Sequence, residues 1–321
     1  MTSQKIFRLN PLAILCNFAT LYGVAFLTVL IPEAFGVRQR GFYCDDASIQ
    51  HPFYDHTIPM GKMTLAILAL FFVIPLLIEL LVERSESSSV SYRWWKFSVP
   101  TFLVQALVIF GYAHIGLVLQ VALTQWAKYG FGRLRPHFMD VCKPTGYVCA
   151  EPSQYITNYT CSGTDSHQVY ETRLSFFSGH SSTAIYAAVF LAIYLESRLT
   201  PRNLLAGARR PVQISLILAA LIVCATRVTD NFHHPSDVVV GIASGLAVAV
   251  ATASNLAGLC SYSLRPVREP EGRRIYAKFI TPNFRRILIT AVTKLKNNVQ
   301  LAQTIAGNTD SEEDRKHRLE S

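Results

Sequence analysis

Six apolar stretches alternate with polar, charge-bearing segments along this chain, at about residues 11–32, 63–82, 97–126, 179–196, 211–226 and 238–260. Each is close to the ~20 residues that a helix needs to cross a bilayer core, and the fifth is the shortest. A lipid-exposed backbone must satisfy its own hydrogen bonds. The pattern therefore predicts an all-α integral membrane protein, a six-span helical bundle over residues 1–260. Buried helices of soluble proteins rarely run so far without charge. The first stretch follows Lys5 and Arg8, as a secretory signal would. It is too long for one and lacks a small-residue cleavage site before Pro32, so it reads as a retained first span.

Short loops rich in Lys and Arg stay on the cytoplasmic side. With the amino terminus inside, Lys5 and Arg8, then Arg84, Arg93 and Lys96, then Arg198, Arg202, Arg209 and Arg210 all fall on inner segments. Both termini are then cytoplasmic, the second as a basic tail over residues 261–321. In that tail Phe284, Ile287, Leu288, Ala291, Val292, Leu295 and Val299 share one stripe, which predicts a short interfacial helix. Residues 310–321 are mostly charged and are expected to be disordered.

The outer loops carry two further marks. Asn158-Tyr159-Thr160 is a glycosylation acceptor, and Cys44, Cys142, Cys149 and Cys161 all fall where the compartment is oxidising. Three pairings of these four cysteines are open. Composition agrees with a polytopic protein: half the residues are apolar and 16% are charged. The net charge of +9 lies largely on inner segments and suits contact with anionic membrane lipid; no nucleic-acid-binding motif is present.

Against the outer ends of the stretches stand three polar islands: Lys128 to Pro136, Ser178-Gly179-His180, and Arg227 through His233 to Asp237. Taken singly, Lys128 or Arg227 reads as an interfacial anchor, Ser178-Gly179-His180 as a helix cap, and the paired histidines with Asp237 as a metal site. The chain offers no second ligand pair with suitable spacing, so no metal and no cofactor are expected. Taken together the islands converge on one face of a bundle, where ionisable residues at membrane depth tend to be functional.

Lys128, Arg135 and Arg227 supply positive charge for a phosphate monoester, and Ser178 and Gly179 precede a helix N-terminus that favours an anion. A neutral histidine can attack phosphorus while a second one donates a proton to the departing oxygen. The expected roles are His233 as nucleophile, His180 as general acid and base, and Asp237, four residues beyond His233, as the carboxylate that fixes its tautomer.

The pattern Lys-x6-Arg-Pro, then Ser-Gly-His, then Arg-x5-His-x3-Asp resembles the lipid phosphate phosphatases of the type-2 phosphatidic acid phosphatase superfamily. It is met by Lys128, Arg135 and Pro136; by Ser178, Gly179 and His180; and by Arg227, His233 and Asp237. Phe177 stands where many members have proline, and Thr226 where many have serine. The resemblance implies metal-independent removal of phosphate from phosphatidic acid, lysophosphatidic acid, sphingosine 1-phosphate or ceramide 1-phosphate on the outer or lumenal face. It also implies a plasma-membrane location and homo-oligomers. A catalytically inactive relative acting as a scaffold, or a lipid-binding or transport protein, is the alternative; every position of the three islands is filled here.

Overall fold

A computed structural model describes residues 5–85, 90–199 and 206–264. The chain divides into two compact units, residues 1–9 with 18–267 and residues 10–17 with 268–321. Of the second unit only residues 10–17 are described, and there Asn10 Oδ1 accepts the Ala13 N–H at 3.3 Å. The stripe expected after Pro282 and the charged end at 310–321 lie outside the described residues.

The long helices are α1 (Pro11–Phe35), α2 (Met60–Ser85) and α3 (Thr101–Phe131), then, beyond two short helices, α6 (Gly179–Arg198), α7 (Ala206–Thr229) and α8 (Pro235–Leu264). The short pair, α4 (Phe138–Cys142) and α5 (Ser166–Glu171), lies in the connection between α3 and α6. Five of the long helices, α1, α2, α3, α7 and α8, are long and apolar enough to cross a membrane. The exception is α6, read from the sequence as the fourth span.

Its composition follows from its place. α6 packs against α2, α3, α7 and α8, and it buries Gly179 through Ala188 without a break. A helix enclosed by other helices meets side chains rather than lipid, so small and hydroxyl residues serve it better than bulky apolar ones. Gly241 and Gly245 of α8 bring the two backbones together. A Cβ on Gly245 would lie 2.4 Å from the Ser182 carbonyl oxygen, and one on Gly241 2.8 Å from that of Ser178.

Helix ends are set by local chemistry. α3 begins after Pro100, later than the apolar stretch beginning at residue 97, because 97–99 pair as a strand. It ends at Gly132, whose left-handed conformation returns its N–H to the Lys128 carbonyl. Ser178 caps α6, accepting the Ser181 N–H on its hydroxyl. Pro235, which has no N–H to lose, opens α8.

The all-helical expectation misses seven short strands among the described residues. β1 (Lys5–Arg8), β3 (Val90–Trp94) and β4 (Phe97–Val99) form one sheet, with β1 parallel to β3 and β3 antiparallel to β4. At the other end of the bundle β2 (Phe42–Tyr43) pairs with β6 (Tyr155–Ile156), and β5 (Pro144–Thr145) with β7 (Thr160–Cys161). Two disulfides, Cys44–Cys149 and Cys142–Cys161, tie the same connections together and select one of the three pairings. Asn158 is exposed between β6 and β7.

Two polar residues of the spans find partners inside the bundle. Glu79 accepts from Tyr194 Oη at 3.0 Å and Arg198 Nε at 2.8 Å, linking α2 to α6. Gln120 Nε2 donates to Ser244 Oγ at 3.0 Å, linking α3 to α8.

Candidate active site

The last turns of α3 and α7, the first turns of α6 and α8, and the segment 51–58 that follows β2 meet at one end of the bundle. The three islands are brought together there.

His233 stands in the tight connection between α7 and α8, where its own N–H and that of Phe232 reach back to the Arg227 carbonyl. Its ring Nδ1 lies 2.7 Å from the carbonyl oxygen of Ser175. A carbonyl only accepts, so Nδ1 carries the proton and Nε2 keeps its lone pair. Burial, the charges of Arg135 and Lys128, and His180 hold the His233 pKa well below the ordinary histidine value, against the opposing pull of the Ser175 hydrogen bond. The imidazole is therefore neutral near pH 7.

Asp237 is not hydrogen-bonded to His233 as the sequence spacing implied. Its Oδ2 lies 3.9 Å from His233 Nδ1, beyond hydrogen-bond reach. One turn into α8, the carboxylate instead accepts from Ser175 Oγ at 2.6 Å, the His234 N–H at 3.1 Å and Arg133 Nη1 at 2.6 Å. Ser175 thus joins the two: its hydroxyl is held by Asp237 and its carbonyl holds His233.

Arg135 is buried. Its Nη2 donates to Glu171 Oε2 at 2.8 Å, its guanidinium lies 5.4 Å from the centre of the Phe232 ring, and its Nε has no hydrogen-bond partner among the described residues. A buried N–H of that kind costs free energy unless an acceptor reaches it, and a phosphate oxygen is such an acceptor. Lys128, half-buried in the last turn of α3, makes no ion pair among the described residues.

Arg227 is fully buried. Its Nε and Nη2 both donate to Thr226 Oγ1, at 3.2 and 2.9 Å, and Nη2 also donates to Asp230 Oδ2 at 2.9 Å. The hydroxyl of Thr226 therefore orients the guanidinium. Its departure to threonine keeps the group that matters.

Ser178 and Gly179 are buried at the start of α6. The Ser178 hydroxyl accepts from the Ser181 N–H at 3.4 Å and from Ser181 Oγ at 2.9 Å, so this turn offers an anion the hydroxyl's own proton as well as backbone N–H and dipole. His180, one residue on, donates from Nε2 to the Ile58 carbonyl at 3.1 Å.

Several residues at this site carried no sequence signal: Ser175, Glu171 and the segment 51–58; Asp230 lay within the third island but was given no role. His51 N–H bonds the Pro136 carbonyl at 2.9 Å, and Thr57 donates from N and Oγ1 to Asp230 at 3.0 and 2.7 Å. A loop without periodicity or a recurring motif gives no hint of what it will touch. Arg133 lay within the first island, yet nothing in its spacing pointed to Asp237.

Residues 107–257 match the model of the PAP2 superfamily. A Caenorhabditis elegans protein named "Phospholipid phosphatase homolog 1.2 homolog" is 39% identical over 70% of this chain and 67% of its own length. A "Putative phosphatidate phosphatase" of Drosophila melanogaster is 32% identical over 76% and 70%, and "Phospholipid phosphatase 2" of Bos taurus 38% identical over 67% and 72%. No solved structure matches. The chain belongs to the phospholipid phosphatase family of that superfamily, a family of hydrolases.

Proposed function

We propose that the protein hydrolyses lipid phosphate monoesters without a metal, through a phosphohistidine. The observation that carries this reading is His233: its Nδ1 proton is committed to the Ser175 carbonyl at 2.7 Å and its ring is kept neutral, so the Nε2 lone pair is available to a phosphorus atom. In the first step Nε2 bonds to phosphorus and the ester P–O bond breaks; His180, which burial and the Arg227 charge keep neutral in the resting site, takes the proton that the monoanionic phosphate monoester brings and gives it to the departing alcohol oxygen. In the second, water attacks the phosphohistidine, His180 takes the water's proton, and inorganic phosphate leaves. Asp237 acts as a positioning residue through Ser175. Lys128, Arg135, Arg227 and the N-terminal turn of α6 at Ser178 and Gly179 bind the phosphate oxygens.

The site lies at the end of spanning helices, at the depth where the phosphate of an embedded lipid would sit. Phosphatidic acid, lysophosphatidic acid, sphingosine 1-phosphate and ceramide 1-phosphate are the proposed substrates. α6 completes six spans, both termini are cytoplasmic, and the site faces outward or lumenally. Two disulfides and the exposed Asn158 acceptor at the same end support that orientation, because disulfides persist in oxidising compartments. The plasma membrane and a homo-oligomer complete the reading.

The test is phosphate release from lysophosphatidic and phosphatidic acid in detergent micelles with excess chelator. Wild type is expected to turn over, and His233→Ala to fall by at least roughly a thousandfold. Folded wild type without chelator-resistant turnover would leave the scaffold or transport alternative.

A further inference from the structure

A third histidine reaches the phosphate-binding face from a segment with no part in the sequence pattern. His56 lies in the connection between β2 and α2, and its Nδ1 is 3.0 Å from Arg227 Nη1. Arginine can only donate, so Nδ1 is an unprotonated acceptor and the His56 ring is neutral in this arrangement. The ring stacks on Phe232, with centroids 3.7 Å apart and planes 13° apart. It also stacks with His180, at 5.6 Å and 26°.

The donors of Arg227 show what this contact does. Of the five N–H groups of a guanidinium, Nε and both on Nη2 are used by Thr226 and Asp230, and one on Nη1 is used by His56. One Nη1 N–H is left for a phosphate oxygen. Thr226 and Asp230 hold one edge of the guanidinium, and His56 holds the Nη1 edge, which determines where that last N–H points.

We propose that His56 is a positioning residue for phosphate binding: its Nδ1 aims the remaining Nη1 donor of Arg227. The inference rests on Arg227 being a phosphate ligand in the reaction proposed above. The charged and titratable groups around the ring are Arg227, Asp230, Arg135, His180, His137 and, on its own segment, Asp55. Partial burial and the two arginines lower the His56 pKa, against Asp230 and Asp55, which agrees with a neutral acceptor. The outer side of His56 is exposed, so the residue can be replaced without opening the bundle core.

Two variants separate the acceptor from the ring. His56→Phe keeps an aromatic ring and removes the acceptor; His56→Asn keeps an acceptor near the position of Nδ1 and removes the ring. Full-length protein in detergent micelles is assayed for lysophosphatidic acid turnover and for inhibition by inorganic phosphate, with His233→Ala as the blank. His56→Phe is expected to raise KM and the phosphate inhibition constant together by roughly tenfold, with a smaller change in kcat, as fits one hydrogen bond to a charged group at a partly exposed position. His56→Asn is expected to stay within roughly threefold of wild type in both constants. His56→Phe equal to wild type, or His56→Asn as impaired as His56→Phe, would overturn the proposal while leaving the histidine mechanism standing. Wild type without chelator-resistant turnover would overturn both.

Discussion

The two ends of the bundle bury charge in different ways. At the end where α2 and α6 finish, Glu79 meets Arg198 and Tyr194, one acid with one base and a hydroxyl, while Arg209 beside them pairs with Glu196 and leaves its Nε without a partner among the described residues. At the opposite end Arg133, Arg135 and Arg227 pair with Asp237, Glu171 and Asp230, and beyond those pairs stand Lys128, in no ion pair among the described residues, and the Nε of Arg135, without a partner among them. A structural cluster balances its charges. A site that receives a phosphate keeps positive charge in reserve, which the fold tolerates because other elements hold each group in place.

The sharpest way to break this comparison is at Asp237. Asp237→Asn loses an acceptor oxygen and the charge that Arg133 pairs with, so Ser175 and, through it, His233 lose their support. Turnover is expected to fall by roughly 10²- to 10⁴-fold, up to the roughly 10⁴-fold seen when a triad carboxylate bonded directly to its histidine is neutralised. Folding should be retained, checked by a monodisperse profile in detergent. Turnover within a few-fold of wild type would mean that the Ser175 carbonyl needs no help.

Glu79→Ala tests the other end, and the expected effect reverses. Stability should drop by about 2 kcal/mol, below the cost of breaking a fully buried pair because Arg198 is 29% exposed. The unfolding midpoint in detergent should fall while turnover per folded molecule is unchanged. Lost turnover at undiminished stability would show that the two ends are coupled.

The smallest effect is pH dependence, which belongs to the site end. His137, buried and beside Arg135, has its pKa lowered to about 4, mainly by burial, and that of His233 is also lowered. The unfolded chain takes up protons near pH 6.5, before the folded protein does. Stability is therefore full above about pH 6.5 and is lost as pH falls toward about 4. The unfolding midpoint should decline across that window, and His137→Asn should flatten part of the slope. Because His233 stays neutral, the acid limb of kcat/KM should lie below pH 6.5, the ordinary histidine value. A limb at or above 6.5 would place a protonated His233 in the resting protein.

Legibility differed by kind of residue. Lys128, Arg135, His180, Arg227 and His233 stood out because ionisable groups against apolar stretches are conspicuous, and they do meet in space. The apolar stretches marked where most helices run. α6 was read as a span like the others, yet its composition falls short of one, because a helix enclosed by protein is under no pressure to look like one facing lipid.

What the sequence determined alone was an inventory: apolar segments of spanning length, three polar islands at their ends, and four cysteines and an acceptor asparagine together on the intervening loops. These follow from local composition, which any helix or loop must carry within itself. The tertiary structure alone decided which acceptor each donor meets. Asp237 bonds Ser175 rather than His233, Arg227 meets His56 across 171 positions of sequence, and Cys44 pairs with Cys149. Hydrogen bonds are made within about 3 Å and depend on angle. Spacing along the chain carries that information only within one helix, and between helices it is packing that sets it.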